Sequence, residues 1–232
     1  MTHVFNGRTA VNMVAVAAIS FTTSGCVSGD IATRIEQPAH VVTTSVATED
    51  PYVSLYAKKG AKYKTVVEWS YYNAPIVENG QLRGNSRIWG DATQATQRAS
   101  INAIRAAAKR AYMTADQEAM VLAIAYVESG FNPDAAAGTT SAQGLGQFIR
   151  KTGEAYGLTN ANRWDVQEQA RALVEHTLDN YAAAKRAGLG DEYVYARHHD
   201  GSFTNNYGGV DLARSRVLPM LPKIEKALAA AQ

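Results

Sequence analysis

At 232 residues with 46% apolar content, the chain is long enough to bury one sizeable core and too apolar to be disordered throughout. Its formal net charge is only +2 and its 23 basic residues are scattered. That excludes a basic stripe for nucleic acid or an anionic membrane surface, so no nucleic-acid partner is expected.

Residues 1–25 read as an export signal, with His3 and Arg8 ahead of or beside a mostly apolar run, Ala10 to Phe21, too short to span a bilayer comfortably. Thr23, Ser24 and Gly25 lead into Cys26, the only cysteine, so an intrachain disulfide is impossible. This segment resembles bacterial lipoprotein signal peptides, in which a small residue precedes a cysteine that is diacylated after export. Thr23 departs from that pattern, which usually has a larger aliphatic residue there. The resemblance implies a lipid anchor on Cys26 and a periplasmic protein held at the outer membrane. An ordinary signal with a passive cysteine is the other reading.

Residues 26–50, rich in Val, Thr, Ser and Ala with Pro38 in the middle, lack helical apolar spacing and suit a flexible tether. Residues 51–91 form a Tyr- and Lys-rich extension expected to pack on the domain that follows. Its aromatics include Tyr52, Tyr56, Tyr63, Trp69, Tyr71, Tyr72 and Trp89. Exposed, such rings stack on sugar faces; buried, they fill a core.

Residues 92–232 read as one mainly α domain. Apolar positions from Ala95 to Ala108 at helical spacing, closed by Lys109 and Arg110, predict a first helix. Thr114 with Gln117 three residues on makes a capping box for a second, with Met120, Val121, Ile124 and Val127 as an apolar stripe and Gly130 as the stop. A third helix is predicted from a cap at Asp165, with Glu168 in the box position, to Lys185 or Arg186 before Gly188. A fourth starts near Asp211 and is kinked or split by Pro219 and Pro222 before Lys223 to Ala230.

Glu128 stands in the last turn of the second, otherwise apolar helix. The negative end of the helix and apolar neighbours both disfavour ionisation, so its pKa should be raised and a proton held near neutral pH. A general acid acting on a sugar oxygen needs such a group. Taken alone, a glutamate at a helix end is more often a surface residue.

The surrounding residues change that balance. Glu128-Ser129-Gly130-Phe131-Asn132-Pro133, then Ser141 to Phe148 with Gly144-Leu145-Gly146-Gln147, and Thr152 resemble the lytic transglycosylase family related to goose-type lysozyme. The resemblance implies a lysozyme-like helical domain acting on peptidoglycan glycan strands, with no cofactor. It implies that Glu128 is the single acid/base, with Ser129 as its partner, and that Gly144, Gln147 and Phe148 belong to a glycan-binding segment. The reaction implied is cleavage of the β-1,4 bond from N-acetylmuramic acid to N-acetylglucosamine, ending in a 1,6-anhydro ring. Gly146 stands where the family commonly has methionine, and Arg150 where a proline often follows.

The family's Ala-Tyr-Asn-Ala-Gly segment has only a loose counterpart in Tyr193 to Gly201. Either Tyr195 or His198 then supports Glu128; the phenol holds a carboxyl without adding a charge that titrates near neutral pH. His198, His199 and Asp200 form a polar groove wall. Adjacent residues seldom aim at one ion, so a metal site is not expected there. Asp134 and Asp200 are the candidates for a second carboxylate, which a hydrolytic lysozyme would use. A non-catalytic wall-binding protein of the same fold is the third reading. A monomer is expected.

Overall fold

A computed structural model describes residues 49–58, 87–137 and 140–232. The export signal, Cys26, most of the tether, and Tyr63, Trp69, Tyr71 and Tyr72 lie outside the described residues. The described part is helical and without strands: α1 Gln94–Arg110, α2 Ala115–Ser129, α3 Arg150–Ala155, α4 Val166–Arg186, α5 Glu192–Asp200, α6 Gly209–Leu212 and α7 Leu221–Ala230. Two isolated bridges, Ala136 to Gln143 and Gln143 to Phe148, fold the segment between α2 and α3 into a compact turn.

Local chemistry sets the helix ends. Thr114 Oγ1 accepts from Gln117 N while Gln117 Oε1 accepts from Thr114 N, the reciprocal box expected for α2. Thr93 caps α1 through Thr96 N. Asp165 caps α4 by accepting from the amides of Gln167 and Glu168. The Glu168 side chain does not close a box, because its carboxylate is drawn to Arg171 at 3.0 Å. Between Asp211 and Ala230 the prolines split the expected fourth helix. A π turn over Ala213–Val217 and a 3-10 turn over Leu218–Met220 separate α6 from α7.

The central element is α2. Every residue from Ala119 to Ala125 is fully buried, enclosed by α1, α4, α7 and the π turn. The expected apolar stripe is therefore a helix buried on all sides for two turns, as its uniform apolar composition requires. Residue 128 emerges from this core where the C-terminal end of the helix meets the groove.

The described parts of the extension pack against the same domain. Gln97, buried on α1, accepts from Ala57 N at 2.7 Å and donates to Ala57 O at 2.9 Å, fixing residues 49–58 with Leu55 in the core. Within this segment Asp50 accepts from Tyr52 N at 3.0 Å. Trp89 ties the extension to α2. Its indole N–H donates to Tyr126 O at 2.9 Å and Val127 O at 3.0 Å, and Gly90 N donates to Ser129 O. The bond to Val127 O adds a partner for a last-turn carbonyl of α2, while Tyr126 O also accepts from Gly130 N and Ser129 O from Asn132 N.

Candidate active site

Glu128 sits in that last turn with its side chain 14% exposed. Burial raises its pKa above the ordinary 4.5, opposed by the bond from Tyr195 and the nearby His199 imidazole. Since Trp89 and Gly90 occupy the helix-end carbonyls, desolvation carries more of the shift than the helix end does. The Tyr195 hydroxyl donates to Glu128 Oε1 at 2.7 Å, and burial together with that carboxyl keeps the phenol firmly protonated. Of the two candidates for this contact, Tyr195 makes it. His198 Nε2 stands 3.9 Å from the same oxygen and donates instead to Gly146 O at 3.0 Å.

Glu128 opens into a groove of about 540 Å³ whose walls include Gln147, Phe148, Thr152, His176, His198, His199, Asp200 and Tyr207. The segment after α2 supplies one wall and α5 the other. Phe148 lies at the floor, edge-on to His176 and beside His198. Tyr207 is 75% exposed at the rim. Gln147 is held at φ 46°, a strained value for a side-chain-bearing residue, while its Nε2 donates to Ala135 O and Gly144 O. Those bonds occupy the amide nitrogen and leave Oε1 for a ligand.

Two residues expected at the groove are not there. Ser129 is fully buried, off the groove lining, and its Oγ donates back to Ala125 O at 2.8 Å, within the helix. Gly144 is also buried and plays a backbone role at φ 75°. A Cβ there would fall 2.7 Å from Gln169 Oε1. Gln169 itself was not singled out in the sequence. Its amide accepts from Leu145 N and donates to Pro133 O and Arg163 O, tying the glycan-binding segment and the turn after Glu128 to α4. A polar residue on the buried face of the α4 pattern was the available signal.

The acidic and imidazole groups around Glu128 have fixed partners. The Asp200 side chain is fully buried: Oδ1 accepts from His199 Nδ1 at 2.6 Å, and Oδ2 from the amides of Tyr207 and Gly209. Burial works to raise its pKa, but these bonds hold it below the usual value. Asp134 is buried beside Arg87, Oδ1 to Nη1 3.6 Å, outside the groove lining, and Asn132 Oδ1 accepts from Asp134 N at 3.0 Å. His198 and His176 meet Nδ1 to Nδ1 at 3.2 Å. With the His198 proton on Nε2, the shared proton lies on His176 Nδ1. Burial, with the Arg197 charge, lowers His176 to about 4, and burial beside His176 lowers His198 well below 6.5, so both are neutral at neutral pH. Among the described residues no group of three or more His, Cys, Asp or Glu side chains is placed to hold a metal ion.

An all-α domain with one raised-pKa carboxyl at the end of a buried central helix, facing a polar groove, is lysozyme-like. Residues 105–183 match the family model described as Transglycosylase SLT domain, which supports a lytic transglycosylase and indicates a peptidoglycan-degrading enzyme. The match includes Glu128 and the Gly144 to Gln147 segment but ends before α5, which carries Tyr195 and the residues 198–200. Comparison with curated proteins and with solved structures finds no match.

Proposed function

We propose that the protein is a peptidoglycan lytic transglycosylase in which Glu128 is the single acid/base. The observation that carries this reading is the pairing of a largely buried, raised-pKa Glu128 with a groove in which the only other acid among the described residues, Asp200, has both oxygens engaged. Tyr195 donates to Oε1, so the transferable proton resides on Oε2. Glu128 gives that proton to the oxygen linking N-acetylmuramic acid to N-acetylglucosamine, and the substrate's own N-acetyl group stabilises the charge at carbon 1. The resulting carboxylate then takes the proton of the muramic 6-hydroxyl as that oxygen bonds to carbon 1. One glycosidic C–O bond breaks, one anhydro C–O bond forms, and no water is consumed. Gln147, Phe148, His198, His199 and Tyr207 serve as the glycan-contacting surface.

Mass analysis of products from purified cell walls tests this. Anhydro-muropeptides are the expected outcome. Reducing ends that incorporate labelled water would show hydrolysis and put Asp200 back in play, whereas no fall in turbidity would make the domain a binding module.

The export reading belongs to the same proposal. Gly25-Cys26 after an apolar run supports a lipid anchor and a place at the outer membrane facing the periplasm, with the domain acting as a monomer. Cys26→Ser should move the protein from the membrane fraction to the soluble one; unchanged membrane association would remove the anchor from the reading.

A further inference from the structure

Arg197 lies in the groove on α5, between Tyr195 and the histidines, and it is the one arginine or lysine among the described groove-lining residues. Among the described residues its side chain has no ion pair and no hydrogen bond, while its backbone carbonyl accepts from Gly201 N. Its Nε is buried without a partner, while its guanidinium stands 5.9 Å from the Phe203 ring centroid. Buried polar groups are nearly always satisfied, so a groove-lining guanidinium whose buried Nε lacks a partner calls for a ligand.

The neighbouring charges are already committed. Glu175 pairs with Arg171 at 2.8 Å, and Asp179 accepts from the Tyr156 hydroxyl at 2.8 Å. Asp200 is held by His199 and two amides. With His176 and His198 neutral at neutral pH, neither adds a positive charge beside the Arg197 guanidinium, which lines the space where a glycan would lie.

Guanidinium matches carboxylate through paired N–H donors. Peptidoglycan differs from plain N-acetylglucosamine polymers in the lactyl ether on alternate sugars. That substituent bears a carboxylate itself where the peptide has been removed, and otherwise bears the carboxylates of the attached peptide. We propose that Arg197 is a substrate-recognition residue that binds a carboxylate of the muramyl substituent, so that the groove selects muramyl-containing strands. This rests on the glycan-strand reading of the groove but not on how the bond is cleaved.

The test measures binding by the full chain carrying Glu128→Gln, with and without Arg197→Gln. Three probes are used: peptide-bearing glycan strands, strands stripped of peptide, and N-acetylglucosamine oligomers. Loss of a charge-assisted bidentate contact should weaken binding of a muramyl probe about ten- to a hundred-fold. Added salt should narrow that difference, and the oligomers should bind both proteins alike. Arg197→Lys should recover part of the affinity. An effect confined to stripped strands identifies the lactyl carboxylate, and one confined to peptide-bearing strands identifies the peptide. Equal muramyl binding with and without Arg197, or an equal loss on the oligomers, overturns the proposal while leaving the enzyme reading intact. Failure of both proteins to bind any of the probes overturns the glycan reading and this proposal with it.

Discussion

Replacing Glu128 by Gln should reduce release of soluble fragments from purified cell walls by at least about a thousand-fold, because one group supplies both proton transfers and each is worth roughly 10²–10⁴. The amide retains Oε1 as an acceptor for the Tyr195 hydroxyl, so the 2.7 Å contact and the α2 end should survive. Stability separates this from simple unfolding. The folded carboxyl has its pKa raised by burial above 4.5, so between that value and the folded pKa the native state holds a proton the unfolded chain has lost. Wild-type stability therefore falls as pH rises through this window, and the Gln variant has no such loss. Denaturant titrations at several pH values should show the variant gaining on wild type as pH rises above about 4.5. More than a tenth of wild-type activity in the variant would remove Glu128 from the mechanism.

Much of this site follows from short-range chemistry, and for that reason was legible. The Thr114 to Gln117 box, the Asp165 cap and the Gly130 stop each depend on residues within a few positions of one another. The apolar run before Glu128 foretold its desolvation. Less accessible were the contacts made across the chain. Trp89 reaches α2 from 37 residues away to bond Tyr126 O, and an aromatic-rich segment gives no hint that one indole will do so. The family resemblance made Ser129 the partner of Glu128, yet successive residues on a helix point about 100° apart, and its hydroxyl turns back to Ala125. The segment from Glu192 to Asp200 forms a helix that places Tyr195, His198 and His199 on one side. Read as a loosely aligned motif, it left Tyr195 and His198 as rivals. As a helix it gives each a separate partner: Glu128 for one, Gly146 and His176 for the other.

Gly130→Ala should destabilise the domain by about 3 kcal/mol, and Gly188→Ala by only about 1 kcal/mol, although both glycines follow a helix with positive φ. Each pays the left-handed backbone penalty, at φ 60° and 67° respectively. A Cβ at Gly188 meets nothing within 4 Å, whereas one at Gly130 would sit 2.7 Å from Gly90 Cα and N and 2.9 Å from Ala57 Cβ. The neighbours there are backbone and a short side chain, with little freedom to yield. For a folded unit spanning Thr48–Gln232 the difference is readable as a fall in Tm of about 6–12 °C for Gly130→Ala against about 2–4 °C for Gly188→Ala. Equal shifts would mean the extension can swing away at no cost. A larger shift at Gly130 would tie the Gly90 N to Ser129 O bond, and with it the Trp89 bonds, to the end of α2 that presents Glu128. Catalytic activity of the Gly130 variant measured well below its Tm should then fall as well, because the displaced segment is what fixes that helix end.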